Sequence, residues 1–239
     1  MMRSLQISFK RYAVLFCCLG SMLLTACGIE GFIYLEKPQR SAHNPSNLAA
    51  LNDRYCEFNT ADSANATYAA GYFQGTEIYY RIYERKDDCE NESKQINQYN
   101  DNNPFAAAQY LETTKKYSRL ATDQTSTRPL IGTHSSDVTV RFRLQDYGTP
   151  VSDPARLTVN GGAKGIPQRN SSIPNSKRIF NKQNIAVGDD DVERSSVPSE
   201  ISQYWCINFY AVSYGYTTTF SALYSQLEYL GYILLEKNP

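Results

Sequence analysis

The chain has 239 residues, with 24 Lys and Arg, 24 Asp and Glu and two His, so its formal charge is zero. That balance gives no basic footprint for nucleic acid, and no C-x-x-C or Cys/His spacing offers a metal site or calls for a cofactor. Nineteen tyrosines against ten phenylalanines and one tryptophan suit half-exposed sheet faces.

Arg3, Lys10 and Arg11 lead into an apolar run over 12–24, which is shorter than the ~20 residues of a comfortable membrane span. The run closes on Leu24-Thr25-Ala26-Cys27, which resembles the lipobox of bacterial lipoproteins. The resemblance implies a signal-peptide helix over 1–26 and cleavage between Ala26 and Cys27. It also implies transfer of a diacylglyceryl group to the Cys27 thiolate. Several acyl chains, at ~0.8 kcal/mol per buried methylene, hold a protein on lipid where one chain does not. The alternatives are an ordinary signal peptide and an uncleaved anchor helix. Gly28 rather than aspartate after the cysteine leans toward the outer membrane, with the face left open. Removing the three leader cations leaves 21 basic residues against 24 acidic ones, a net charge of −3.

Residues 27–30 form the expected tether, and 31–239 the exported domain, long enough for one large core. Residues 31–37 read as a first strand stopped by Pro38. Residues 54–60 alternate, with Cys56 and Phe58 on one face. The strongest early strand is 75–85, where Ile78, Tyr80 and Ile82 oppose Tyr79, Arg81 and Tyr83. Residues 87–116 predict a helical insertion, one helix starting near Asp88 and another at Asn103-Pro104. Phe105, Ala108 and Leu111 share a stripe of the second.

Strands resume at 137–145, with Val138, Val140, Phe142 and Leu144 facing inward, and at 155–160, before the turn Asn160-Gly161-Gly162. Residues 161–200 predict loop around a weak strand at 178–180 or 185–187. Residues 204–214 and 229–235 are the closing strands. Of Cys56, Cys89 and Cys206, at most two pair, and the sequence leaves the pair open. Short strands between turns predict a mainly β chain, an antiparallel β-sandwich with a short helical insertion.

The stretches Tyr79-Tyr80-Arg81-Ile82-Tyr83 and Phe209-Tyr210-Ala211-Val212-Ser213-Tyr214-Gly215 resemble fibronectin type III and immunoglobulin-like domains. The lipobox together with the strand from Phe73 to Tyr83 resembles lipoproteins of spirochaetes, treponemes in particular, a likeness that implies no activity.

Chemistry is sparse. His134 lies in Thr-His-Ser-Ser-Asp, but a triad is built in space, and no Gly-x-Ser-x-Gly elbow exists. Asp189-Asp190-Asp191 with Glu193 lacks the spacing of an EF-hand. Gly161-Gly162-Ala163-Lys164-Gly165 lacks the rest of a phosphate loop. Tyr79, Arg81 and Tyr83 remain, either as an open binding patch or as a face covered by another strand, the inserted helices or the second sheet. The expectation is a non-enzymatic, lipid-anchored binding or adhesion module for a protein or glycan. The alternatives are an envelope-assembly subunit and a glycan or peptide hydrolase.

Overall fold

The computed structural model describes residues 33–45, 53–145, 154–197 and 202–237. The leader, Ala26 and Cys27 lie outside them. No helix among the described residues is long and apolar enough to cross a membrane.

In chain order the elements are β1 (Gln39–Arg40), β2 (Cys56–Asn59), α1 (Asp62–Tyr68), β3 (Phe73–Tyr83), α2 (Lys86–Asn102) and α3 (Ala107–Thr113). Short strands follow: β4 (Ser118–Arg119), β5 (Ala121–Thr122) and β6 (Ile131–Gly132). Next come β7 (Thr139–Arg143), β8 (Arg156–Val159), β9 (Gly162–Ala163), β10 (Pro167–Gln168) and β11 (Val192–Glu193). The last are β12 (Tyr204–Tyr216), β13 (Ala222–Tyr224) and β14 (Glu228–Glu236).

They make an antiparallel β-sandwich. One sheet runs β1-β2-β7-β8-β9. The other is built on β3 and β12, with β11, β4 and β6 on β3 and with β13 and β14 on β12. β11 is its single parallel neighbour. Alternation sets the core: Cys56 and Phe58 of β2, Val140 and Phe142 of β7, and Leu157 of β8 face Ile78, Tyr80, Ile82, Ile207 and Phe209. Phe142 meets Phe209 edge-on at 5.0 Å across the sheets. Each such side chain contributes about 1.5–3 kcal/mol by leaving water.

The insertion at 87–116 becomes a third layer, on the far face of the second sheet. Cys89, Ser93, Ile96 and Asn100 of α2 are buried, and their spacing of four, three and four residues places them on one helical stripe. Ile96, with Ala108 and Leu111 of α3, packs on Tyr79, Tyr210 and Val212. Much of the stripe is polar and is held by specific bonds. Asn100 accepts from the Leu227 N–H at 2.9 Å and donates to the Leu227 carbonyl at 3.1 Å. A disulfide joins Cys89 of α2 to Cys206 of β12, which leaves Cys56 as a buried free thiol in the sandwich core.

Four expectations need correction. The described part of 31–37 is extended but unpaired as a strand. Asn65 of α1 takes the place of a ladder there, accepting from the Glu36 N–H at 2.7 Å and donating to its carbonyl at 3.0 Å. α2 is a 17-residue helix, not a short one. Phe105 leaves the stripe of α3 and is 61% exposed, because the helix begins only at Ala107. Between 161 and 197 neither weak strand forms: Ile179 makes one bridge to Gln168, and the strands are instead the two-residue β9, β10 and β11.

The order of that loop comes from Arg169, which is wholly buried. Its Nε donates to Asp191 at 2.8 Å, one Nη to Asp189 at 2.8 Å and the other to the Asn184 carbonyl at 2.7 Å. Tyr80 donates its hydroxyl to the same Asp191 carboxylate at 2.7 Å. Burial opposes the charge on Arg169, and the bonds to Asp191 and Asp189 outweigh it, holding its pKa above the ordinary value.

The disulfide closes a sequence separation of 117, so the loop-entropy estimate is about 5 kcal/mol and typical measured values are 2–4 kcal/mol. Denaturant unfolding of the oxidised chain against the Cys89→Ser/Cys206→Ser variant should show a loss of that size. Equal midpoints would mean the bridge does not hold α2 to β12.

Candidate functional site

The outer-face residues of β3 separate into two environments. Tyr79 is fully buried beneath α2 and α3, with its hydroxyl donating to Glu77 at 2.9 Å. Arg81 and Tyr83 come together on the floor of a cleft of about 440 Å³. Asp88, Glu92 and Gln95 of α2 form one wall, and Lys115, Lys116 and the 193–196 segment form the other. The open patch of Tyr79, Arg81 and Tyr83 is therefore corrected. The inserted helices cover that face, and what reaches solvent is the cleft beside them.

The cleft is organised by pairing. The Arg81 guanidinium donates to the Lys116 carbonyl at 2.5 Å and forms an ion pair with Glu193. Lys115 donates to Glu92 and Gln95, each at 3.0 Å. Below, Tyr83 donates to the Tyr117 hydroxyl at 3.1 Å, and Asn208 donates to Tyr117 at 3.1 Å and to the Cys89 carbonyl at 3.2 Å. Lys116 itself has φ 56°, the left-handed region that costs a side-chain-bearing residue energy and is held only when the surroundings fix it. The cleft thus combines fixed cations, carboxylates and amides on a floor pinned by the disulfide. Such a surface suits a ligand with many hydrogen-bonding groups.

A second cluster escaped the sequence reading. Glu77, 1% exposed, accepts two bonds of 2.6 Å from Arg128, and Arg119 lies 3.6 Å away. Arg128 also donates to Tyr224 at 2.9 Å and lies over the Tyr214 ring at 4.1 Å. Glu77, the single carboxylate of a strand that is buried almost throughout, was the available signal. Nothing near Arg128 in the chain announced its partner. This cluster neutralises a buried carboxylate and ties β3 to the 128–131 segment. There Gly75, at φ +144°, lets the backbone of Ile131 and the Pro129 ring approach where a Cβ would sit 2.7 Å from Pro129 Cγ.

The remaining candidates resolve as structure. The acidic partner of His134 is Asp62, 3.5 Å from Nδ1, while Asp137 accepts from the Ser63 N–H at 2.8 Å. No serine hydrogen-bonds the His134 ring among the described residues. Burial raises the pKa of Asp62, countered in part by its bond from Thr60 and by His134. His43 stacks on Tyr55 at 3.7 Å. Asp189 and Asp191 pair with Arg169, and no cluster of metal-ligating side chains occurs among the described residues. The glycine run forms the turn from β8 into β9, with Asn160 at φ 47° and Gly161 at φ 79°, a primed hairpin geometry. Burial pushes the Cys56 thiol well above its ordinary pKa, which makes it a poor nucleophile. Cys27 and Ala26 lie outside the described residues.

No protein-family model, curated protein or solved structure matches this chain.

The buried phenols give this region a pH signature. Burial, above all, pushes Tyr79, Tyr80, Tyr83 and Tyr210 well above the ordinary phenol range. A phenol that keeps its proton longer in the fold contributes stability fully present below about pH 10, and lost as pH climbs from there toward the folded values. Alkaline titration should therefore show exposed phenols ionising first. The buried set should ionise only together with loss of the far-ultraviolet circular dichroism. A single ionisation step near the ordinary value with the dichroism intact would contradict this burial.

Proposed function

We propose that this chain is a lipid-anchored binding module of the cell envelope. In this reading residues 1–26 direct export, acylated Cys27 holds the domain on the membrane, and the Arg81–Tyr83 cleft takes a glycan or a polar peptide. The observation that carries it is the preformed cleft. Its floor groups are locked by Lys116, Glu193, Tyr117 and the Cys89–Cys206 bridge, so little ordering entropy is lost on binding. Its paired cations, carboxylates and amides offer hydrogen bonds in both directions, as hydroxyl-rich or peptide ligands require.

The test uses the lipidated chain in phosphatidylethanolamine and phosphatidylglycerol vesicles, passed over immobilised peptidoglycan and immobilised heparan sulfate. Arg194 lines the cleft and is exposed, so Arg194→Glu changes the rim charge without disturbing the core. Retention on one of the two polymers should weaken about tenfold, the loss of roughly one charge-assisted hydrogen bond. Retention by the native chain that the variant leaves unchanged would place the ligand elsewhere. Absence of retention on both polymers would remove envelope and host glycans from the proposal.

A further inference from the structure

Five aromatic side chains are strongly exposed among the described residues, and four sit at one end of the second sheet. Phe220 is 85% exposed, Tyr68 63%, Tyr34 40% and Tyr216 39%. Tyr216 ends β12, where its N–H donates to the Tyr72 carbonyl at 2.9 Å. Phe220 occupies the connection from β12 to β13. Tyr68 is the last residue of α1, just before the chain enters β3 through Tyr72. Tyr34 stacks on Tyr68 with ring centroids 6.4 Å apart.

The two segments that carry most of these rings are also free of charge. Residues 63–76 and 213–227 contain no Asp, Glu, Lys or Arg, in a chain where these make up 20% of positions. The charged residues that border them in sequence are paired, Asp62 with His134, Glu77 with Arg128 and Glu228 with Lys37, and the charges beside Tyr68 in space are Glu36, Lys37 and Asp137. Between the rings lie Thr217, Thr218 and Thr219. A charge-poor surface of tyrosine, phenylalanine and hydroxyls, with a few charges at its edge, has the chemistry of the lipid headgroup boundary, where amphipathic rings concentrate.

The tether selects this partner over a soluble protein. Seven chain steps separate Cys27 from Tyr34, a reach of at most ~25 Å at full extension. β12 alone has 13 residues and is about 43 Å long at strand rise. The tether is shorter than the sheet, and it joins the domain at the aromatic end, where Glu36 is fixed to Asn65 and Ser213.

We propose that this end of the sandwich is a membrane-contact surface, with Tyr34, Tyr68, Tyr216 and Phe220 seated in the headgroup region of the bilayer that holds Cys27. The proposal rests on the lipid-anchor reading. The domain then lies against the bilayer in one orientation, and the Arg81–Tyr83 cleft, at the opposite end of β3, faces away from the lipid.

The test places a tryptophan reporter in the full lipidated chain, reconstituted in phosphatidylethanolamine and phosphatidylglycerol vesicles with and without brominated acyl chains. The reporters are Phe220→Trp and Tyr68→Trp at the aromatic end, and Val187→Trp, 47% exposed, in the loop that leads to β11 at the other end. Trp205, 5% exposed, is the common background. Flotation with the vesicles is read first, and the quenching second. Flotation with loss of about half the added emission at positions 220 and 68, and little at 187, is the expected result for rings at the lipid boundary. Flotation with equal quenching at all three positions overturns the contact surface and leaves the anchor standing. A chain that does not float overturns the anchor and the contact surface together.

Discussion

The pairing of β3 with β12 is the constraint on which the rest of the structure depends. The ladder runs antiparallel from Cys206 opposite Tyr83 to Gly215 opposite Phe73. Both strands are covered on both faces, by the first sheet on one side and by α2 and α3 on the other. Two-sided burial explains their composition. A half-exposed strand alternates large apolar with small polar residues, whereas Ile78-Tyr79-Tyr80-Arg81-Ile82-Tyr83 is large throughout. Tyrosine suits the helix-covered face because its ring packs while its hydroxyl finds a partner. Tyr79 uses Glu77, Tyr83 uses Tyr117, and Tyr210 donates to the Ser93 carbonyl at 3.3 Å.

Covering that face with a polar helix brings hydrogen-bonding groups into the interior, and each would cost about 1–3 kcal/mol if left unpaired. Asparagine is the recurring answer. Asn65 and Asn100 each exchange two bonds with a single residue's N–H and carbonyl, as a neighbouring strand would. Arg169 and Arg128 solve the same problem for carboxylates. Buried ion pairs of this sort add little net stability against a well-packed apolar alternative, yet removing one partner leaves an uncompensated charge. Their evident effect is positional: Asp191 fixes the β10–β11 loop on Tyr80, and Glu77 fixes the segment beside Gly75.

The periodic parts of the fold were legible in the sequence. Period-two burial at β2 and β7, and the turn at Asn160-Gly161, follow from local rules, and so does the helical character of the insertion. What could not be read was long-range. Nothing local says that Cys89 pairs with Cys206 rather than Cys56, because the choice is made by α2 lying over β12. The loop at 161–197 looked irregular because its order comes from one arginine meeting two aspartates 20 and 22 residues away. Arg81 and Tyr83 lie on one face of β3, as the alternation predicts, and line one cleft. Their separation from Tyr79 depends on where the insertion lands, which composition and spacing do not encode.

The central claim is that the inserted helices seal the tyrosine face of β3 and β12. Nitration of the folded chain with tetranitromethane, mapped by peptide mass spectrometry, tests it most directly. The account predicts that Tyr79, Tyr117 and Tyr210 stay unmodified until the chain is unfolded, whereas nitration of Tyr79 and Tyr210 in the folded chain would show that face open and contradict it.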